Sequence, residues 1–281
     1  MIGKKIIICS TIRNVEKDLK DFFVKIDEIT SKFDDYFIIL VQSNSNDNTV
    51  KNAERLLKKR KGIIINKNLD LNLYRTQRLE ICRNEFLSFI RKDSNLRSYD
   101  YLIVMDADGI NNSIKYEYIY NSIKANQDWS AIFANQKFIY YDIWTLRIEN
   151  FIEFDCFQKI KQKAPLNNNN LKKIFYSNFT KYFFLKKNFK ERFIKVNSAF
   201  GGLGIYKTNK ILECDYDSKE GSQCEHVGIN EQLNKKFGNL FIDKELINSS
   251  GISKHTINGL LCSKFNYFAK RFLNIINQTI K

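Results

Sequence analysis

The chain has 281 residues, room for one large α/β domain or two small ones. Its 46 Lys+Arg against 31 Asp+Glu leave a formal charge of +15, and 43% of the residues are apolar and 14% aromatic. So much burial-seeking surface excludes a wholly disordered chain, and no stretch approaches the ~20 uninterrupted apolar residues of a membrane span.

The apolar run in residues 4–9 (KKIIIC) is too short for a secretory signal and reads as a strand covered on both faces. Residues 15–33 carry Val15, Leu19, Phe22, Phe23, Ile26, Ile29 and Phe33 at helical spacing. A second buried strand follows at 36–41 (YFIILV), then the turn cluster SNSNDNT, which can cap a helix at 49–61. Gly62 ends that helix, Ile63–Ile65 form a third strand, and 73–91 form a helix with Leu79, Cys82, Phe86 and Ile90 on one stripe. The fourth strand, 101–105 (YLIVM), runs directly into Asp106-Ala107-Asp108-Gly109. This rhythm predicts parallel βαβ units with right-handed crossovers. Farther on, 130–141 reads as strands, and 145–193 as basic, aromatic helices with a mobile loop holding the Asn run 167–170. Residues 195–206 read as strand, glycine turn, strand; 225–236 and 255–281 read as helices, the last one basic and amphipathic. No internal repeat or linker is visible, so one domain is expected over 1–281, with a donor half (1–110), an acceptor half (111–254) and the C-terminal helix. Six cysteines (Cys9, Cys82, Cys156, Cys214, Cys224, Cys262) without CxxC spacing predict free thiols in a reducing compartment.

Asp106 and Asp108 stand where a buried parallel strand ends, the place at which open α/β sheets bind ligands. Two carboxylates at i, i+2 repel unless a cation relieves them, and hard cations such as Mg²⁺ or Mn²⁺ take oxygen ligands and share their shell with phosphates. The bland reading of the same residues is a helix-capping Asp-Ala-Asp-Gly turn.

A strand ending in DxD, preceded by one ending in Ser43-Asn44-Ser45-Asn46-Asp47-Asn48-Thr49, resembles the GT-A glycosyltransferases. Other segments resemble theirs in the same order: the first loop Thr11-Ile12-Arg13-Asn14, the helix start Arg75-Thr76-Gln77-Arg78 continuing to Arg83-Asn84, and the glycine loop Phe200-Gly201-Gly202-Leu203-Gly204-Ile205-Tyr206. Cys224-Glu225-His226 stands where that family carries x-Glu-Asp, and His255 where many members place a metal-binding histidine. A narrower likeness, through Ala134-Asn135 and Tyr141–Arg147, is to the capsule-associated mannosyltransferase group. The sequence departs from the pattern at Gln42 and Ser43, where relatives carry acidic residues that read a uracil ring, and at His226, which replaces an aspartate.

The resemblance implies a GT-A type, Rossmann-like α/β fold with a mixed, mostly parallel sheet flanked by helices. It implies a metal-dependent transferase moving a sugar from a UDP- or GDP-linked donor to a glycan or glycolipid, in surface polysaccharide synthesis. Mn²⁺ or Mg²⁺ is expected on Asp108 and His255, with Asp106 on the metal or the ribose. Thr11, Arg13, Ser43, Asp47, Arg75, Arg78, Gly201 and Gly202 are expected around the donor, the arginines because a guanidinium matches phosphate oxygens. Glu225 or His226 would be the base of an inverting reaction, Glu225 preferred, unless the mechanism is retaining. Adjacent at a helix start, the two are expected to point in different directions. Tyr141, Asp142 and Trp144 line the acceptor sugar or belong to the core. Asp47 and Thr49 can also be helix caps.

Three rival readings remain. A basic nucleic-acid-binding protein lacks any helix-turn-helix, RNP or zinc signature, so no nucleic acid is expected. The Lys/Arg–aromatic mixing at 160–193 and in the last helix instead points to peripheral contact with an anionic membrane, from the cytoplasmic side. A phosphohydrolase would place its DxD near the N-terminus, and a nucleotidyltransferase would need a glycine-rich first loop.

Overall fold

The computed structural model describes residues 4–125, 128–163 and 179–252. His255, Cys262, the Asn run 167–170 and the helix expected at 255–281 lie outside the described residues.

Eight strands form one sheet in the order β3-β2-β1-β4-β7-β5-β8-β6. The first half is the alternation expected: β1 (Lys5–Ile12), α1 (Leu19–Thr30), β2 (Asp35–Ser43), α2 (Thr49–Leu57), β3 (Gly62–Lys67), α3 (Arg75–Lys92) and β4 (Tyr101–Met105). Strands β3, β2, β1 and β4 pair in parallel. Side chains alternate across β1, so Ile7 and Cys9 meet Cys82, Phe86 and Ile90 of α3, while Ile6 and Ile8 meet Phe22, Phe23 and Ile26 of α1. Each such fully buried side chain contributes about 1.5–3 kcal/mol, which explains why continuous apolar runs mark these strands.

The second half is α4 (Tyr116–Lys124), β5 (Ala131–Gln136), α5 (Cys156–Lys163), β6 (Phe193–Lys195), β7 (Leu203–Lys207), α6 (Glu225–Phe237) and β8 (Leu240–Ser249), with one-turn helices between. Here the expected strand, glycine turn and strand over 195–206 are present as β6, Gly201–Gly202 and β7, and the two strands do not pair with each other. β6 lies at the far edge on β8, whereas β7 inserts antiparallel between β4 and β5. The strand signal at 130–141 covers β5 alone; from residue 137 the chain leaves the sheet. The five described cysteines are free and buried, as expected.

The glycine loop sits behind the DxD turn. Gly201 and Gly202 have φ of 65° and 85°, and a Cβ on Gly201 would lie 2.6 Å from the Ala134 carbonyl oxygen. The Gly202 carbonyl accepts from the Asp106 N–H (3.0 Å) and from Asn111 (2.9 Å), while that of Gly201 accepts from Gln136 (3.0 Å) and Asn248 (2.7 Å). Buried amides therefore tie β7 to β4, β5 and β8 just below the strand ends.

Candidate active site

A cleft of about 460 Å³ opens at the carboxyl ends of β1, β2 and β4. It is lined by the first loop (Thr11, Ile12, Arg13), the start of α3 (Arg75, Arg78, Arg83), the DxD turn (Asp106, Asp108), Tyr141–Asp142 with Trp144–Thr145, and the start of α6 (Glu225, His226). Ser43 lines it as well. The structure thus brings together Thr11, Arg13, Ser43, Arg75, Arg78, Asp106, Asp108, Glu225 and His226.

Asp47 is not in that lining. Its two oxygens accept from the Thr49 N–H (2.9 Å) and the Glu16 N–H (3.2 Å), while Thr49 Oγ1 accepts from the Val15 N–H (2.8 Å). Asn46 N–H donates to Asn14 Oδ1 (2.9 Å), and Glu16 takes the Asn48 N–H (3.1 Å). The Ser/Asn/Asp/Thr turn therefore clamps the first loop, and its effect on the cleft is to fix where Arg13 stands. Gly201 and Gly202 act from behind: the Gly201 N–H donates to Asp142 (3.1 Å), and Gly202 holds Asp106. His255 lies outside the described residues.

Arg78 spends Nη1 on the carbonyls of Leu71 (2.9 Å) and Leu73 (2.7 Å), which shapes the loop before α3. Arg13 and Arg75 are exposed, with no carboxylate partner among the described residues. Asp108 is exposed as well and accepts only a long bond from the Ile110 N–H (3.4 Å).

Arg83 is the centre of the buried side. Its side chain is 4% exposed, between the rings of Phe200 and Tyr216. Nη1 bonds Glu225 Oε1 and His226 Nε2, and Nη2 reaches Asp106 Oδ1 at 3.2 Å. Glu225 and His226 therefore do not diverge as their adjacency suggested. Both are 2% exposed, and both converge on one guanidinium. Burial and the charges of Arg83 and Arg75 push the His226 pKa well below its ordinary value, so the ring is neutral. A neutral ring that accepts at Nε2 carries its proton on Nδ1. The ring stacks on Phe200 with centroids 3.7 Å apart. The Glu225 Oε2 accepts a weak bond from the Cys224 thiol at 3.7 Å.

The remaining carboxylates crowd each other. Burial, together with Asp108 and Asp142, pushes Asp106 up to about 7 despite Arg83 nearby. Burial also raises Asp142, which accepts from Thr145 Oγ1 (2.8 Å) and the Gly201 N–H. Oxygen-rich, under-neutralised carboxylates suit a hard divalent cation. Among the described residues no three metal-ligating side chains close into a cage.

Arg83, expected only as part of the family-like helix segment, and Asp142, expected on the acceptor wall or in the core, both stand in the cleft. Arg83 falls four residues after Leu79 and three before Phe86, on the buried stripe of α3; a charge on an apolar stripe needs buried partners.

No family model matches the chain, and no curated protein matches its sequence. Solved structures do match. The mannosyltransferase PcManGT from Pyrobaculum calidifontis, in complex with GDP-Man and Mn²⁺, aligns at TM-score 0.50 and 12% identity over 89% of this chain and 58% of that one. Residues 1–349 of TarS from S. aureus, in complex with UDP-GlcNAc, align at TM-score 0.50 and 11% identity over 90% of this chain and 60% of that one. The chain has the GT-A fold. It spans less than two thirds of the length of either neighbour, and the GT-A likeness at this identity concerns architecture.

Proposed function

We propose that this protein is a glycosyltransferase that moves a sugar from a UDP- or GDP-linked donor to a glycan or glycolipid, using Mn²⁺ or Mg²⁺, in surface polysaccharide synthesis. The observation that carries the reading is one cleft, at the strand ends of a GT-A sheet, which joins the under-neutralised Asp106 and Asp108 with the unpaired Arg13 and Arg75. That charge pattern suits a metal-bound diphosphate and suits neither the lipid tail nor the sugar ring. Neighbours of the same fold bind GDP-Man with Mn²⁺ and UDP-GlcNAc.

Asp106 and Asp108 would hold the metal, with His255 a further ligand. When bound, the cation would neutralise charge growing on the leaving diphosphate. Arg13 and Arg75 supply guanidinium donors for the same oxygens. The Ser45–Thr49 clamp keeps Arg13 in place, and Arg78 holds the loop before α3. Asp106 keeps its orientation through Arg83 and through its own N–H bond to Gly202.

Glu225 and His226 are buried and both engage Arg83, so they serve to hold that cation. The acceptor hydroxyl's proton goes instead to Asp142, whose carboxyl burial raises above its ordinary value and which stands in the cleft beside Tyr141 and Trp144. The phosphohydrolase reading has less support, since the neighbours of this fold carry nucleotide sugars.

The test is incubation with UDP-, GDP- and CMP-sugars plus Mn²⁺. Slow release of a nucleoside diphosphate that stops with EDTA is expected, and release of phosphate from a small phosphomonoester instead would reject the reading. With an acceptor in hand, Asp142→Asn should lose more turnover than Glu225→Gln; the opposite order returns the base to Glu225.

A further inference from the structure

One surface patch combines exposed apolar side chains with lysines that form no ion pair among the described residues. Phe138 and Ile252 are 56% and 53% exposed, and Phe184 is exposed beside them. Backbone bonds join the three segments: Phe138 N–H donates to the Ser250 carbonyl (3.1 Å), and Tyr140 N–H donates to that of Phe183 (2.9 Å). Lys137 lies over the Phe138 ring at 5.2 Å, and Lys186 Nζ donates to the Lys137 carbonyl at 3.2 Å. Among the described residues, Lys137, Lys186, Lys187 and Lys244 form no ion pair. Burial and the charges of Lys244 and Lys137 push the Lys186 pKa down, as expected of a cation surrounded by its own kind.

We propose that this patch docks the protein on a membrane surface rich in anionic lipid, with Phe138, Phe184 and Ile252 entering the headgroup layer and Lys137, Lys186, Lys187 and Lys244 meeting lipid phosphates. Charge decides the occupant. A second copy would bring the same lysines and a net charge of +15. The chain's own residues 253–281 carry five Lys/Arg and no Asp or Glu, and residues 164–178 carry two Lys and no acid. Neither carries the acidic residues that would neutralise the patch. A polynucleotide would favour arginines, but the nearby Arg192 is taken by Asp243 and Glu245. Exposed phenylalanines amid lysines are the composition of an interfacial anchor.

The patch also deepens the functional reading, on which this step rests. Tyr141 and Asp142 of the cleft follow Phe138 by three and four residues, so docking here would bring the acceptor side of the cleft close to a glycolipid's headgroup.

The test is flotation of the full chain with phosphatidylcholine vesicles, with and without phosphatidylglycerol. Binding is expected only with phosphatidylglycerol and is expected to weaken with salt. Lys137→Gln and Lys186→Gln should each lower it roughly fivefold. Phe138→Ser should lower it further with an unchanged melting temperature, since the ring is mostly in water. Donor hydrolysis in solution needs no vesicle, so all three variants should retain it. Its absence from every variant and the parent would sink the transferase reading and leave docking intact. Equal binding to both vesicle types, binding unaffected by these substitutions, or stronger binding of the same residues to duplex DNA would each overturn the membrane assignment.

Discussion

The parallel strands β3-β2-β1-β4 and the mixed strands β7-β5-β8-β6 build the two sides of one cleft by different means. The parallel side offers exposed side chains on loops that surface hydrogen bonds hold, as Asp47 and Thr49 hold the Arg13 loop. The mixed side offers groups fixed by buried polar contacts: Glu225 and His226 at the start of α6, both held by Arg83 reaching across from α3, and the amides around Gly201. Chemistry and stability should therefore separate on the first side and stay coupled on the second.

The sharpest separation is expected at Asp108. Asp108→Ala should cut metal-dependent donor turnover on the order of 10²–10³-fold, with a stability change under about 0.5 kcal/mol, as at other exposed positions. Nucleotide release and a thermal melt read both, and retained turnover would remove Asp108 from the metal. At Arg83 the coupling should appear. Arg83→Met leaves buried carboxylates bare and should cost about 3–5 kcal/mol in urea melts, part of it restored by adding Glu225→Gln. A cost below ~1 kcal/mol would break the contrast. Gly201→Ala must place a side chain at positive φ against the Ala134 carbonyl, for a loss of about 1–3 kcal/mol, together with lower turnover because the shifted loop moves the N–H that donates to Asp142. Thr49→Val removes one acceptor on the forgiving side and should cost ~1 kcal/mol while raising donor KM more than it lowers kcat. An effect as large as that of Arg83→Met would erase the distinction.

The smallest effect concerns pH. Burial raises the Asp142 carboxyl above its unfolded value. Its contribution to stability is thus complete below the ordinary carboxylate range and is lost as pH rises through the raised pKa. Asp142→Asn should therefore gain stability relative to the parent between pH 4 and neutrality. A parallel loss at both ends would place the carboxyl in a more solvated setting.

The two sides also differed in how far they could be read from sequence. The strand at 101–105 and its Asp106-Asp108 turn coincide with β4, because a strand buried on both faces leaves a continuous apolar run. Helix α3 fell within two residues of its expected bounds. The mixed side follows no such rule. The strand, glycine turn and strand of 195–206 are all present, yet β6 and β7 are separated by β5 and β8. No local pattern reveals that insertion, which depends on the amides of Asn111, Gln136 and Asn248 finding the glycine carbonyls. Helix α4 and strand β8 gave no usable signal either: α4 buries only Ile119, Ser122 and Ile123, and β8 interrupts its apolar run with Asp243, Lys244 and Glu245. At the site, the residue types around the cleft were readable from motif order, but the convergence of Glu225 and His226 was not. Two neighbours on one helix meet the same atom only because Arg83 enters between them from another element.

That guanidinium has a further consequence for how the polypeptide can be taken apart. It is carried by a helix of the first hundred residues, and its counter-charge comes from Glu225, more than a hundred positions later. Severing the chain directly after β4, before Asp106, would part Arg83 from both of its carboxylates and leave Glu225 without its cation, each exposed on a surface meant to be dry. Such pieces should be insoluble separately and regain order only when mixed, so the first portion is a poor candidate for transplantation as a free-standing module.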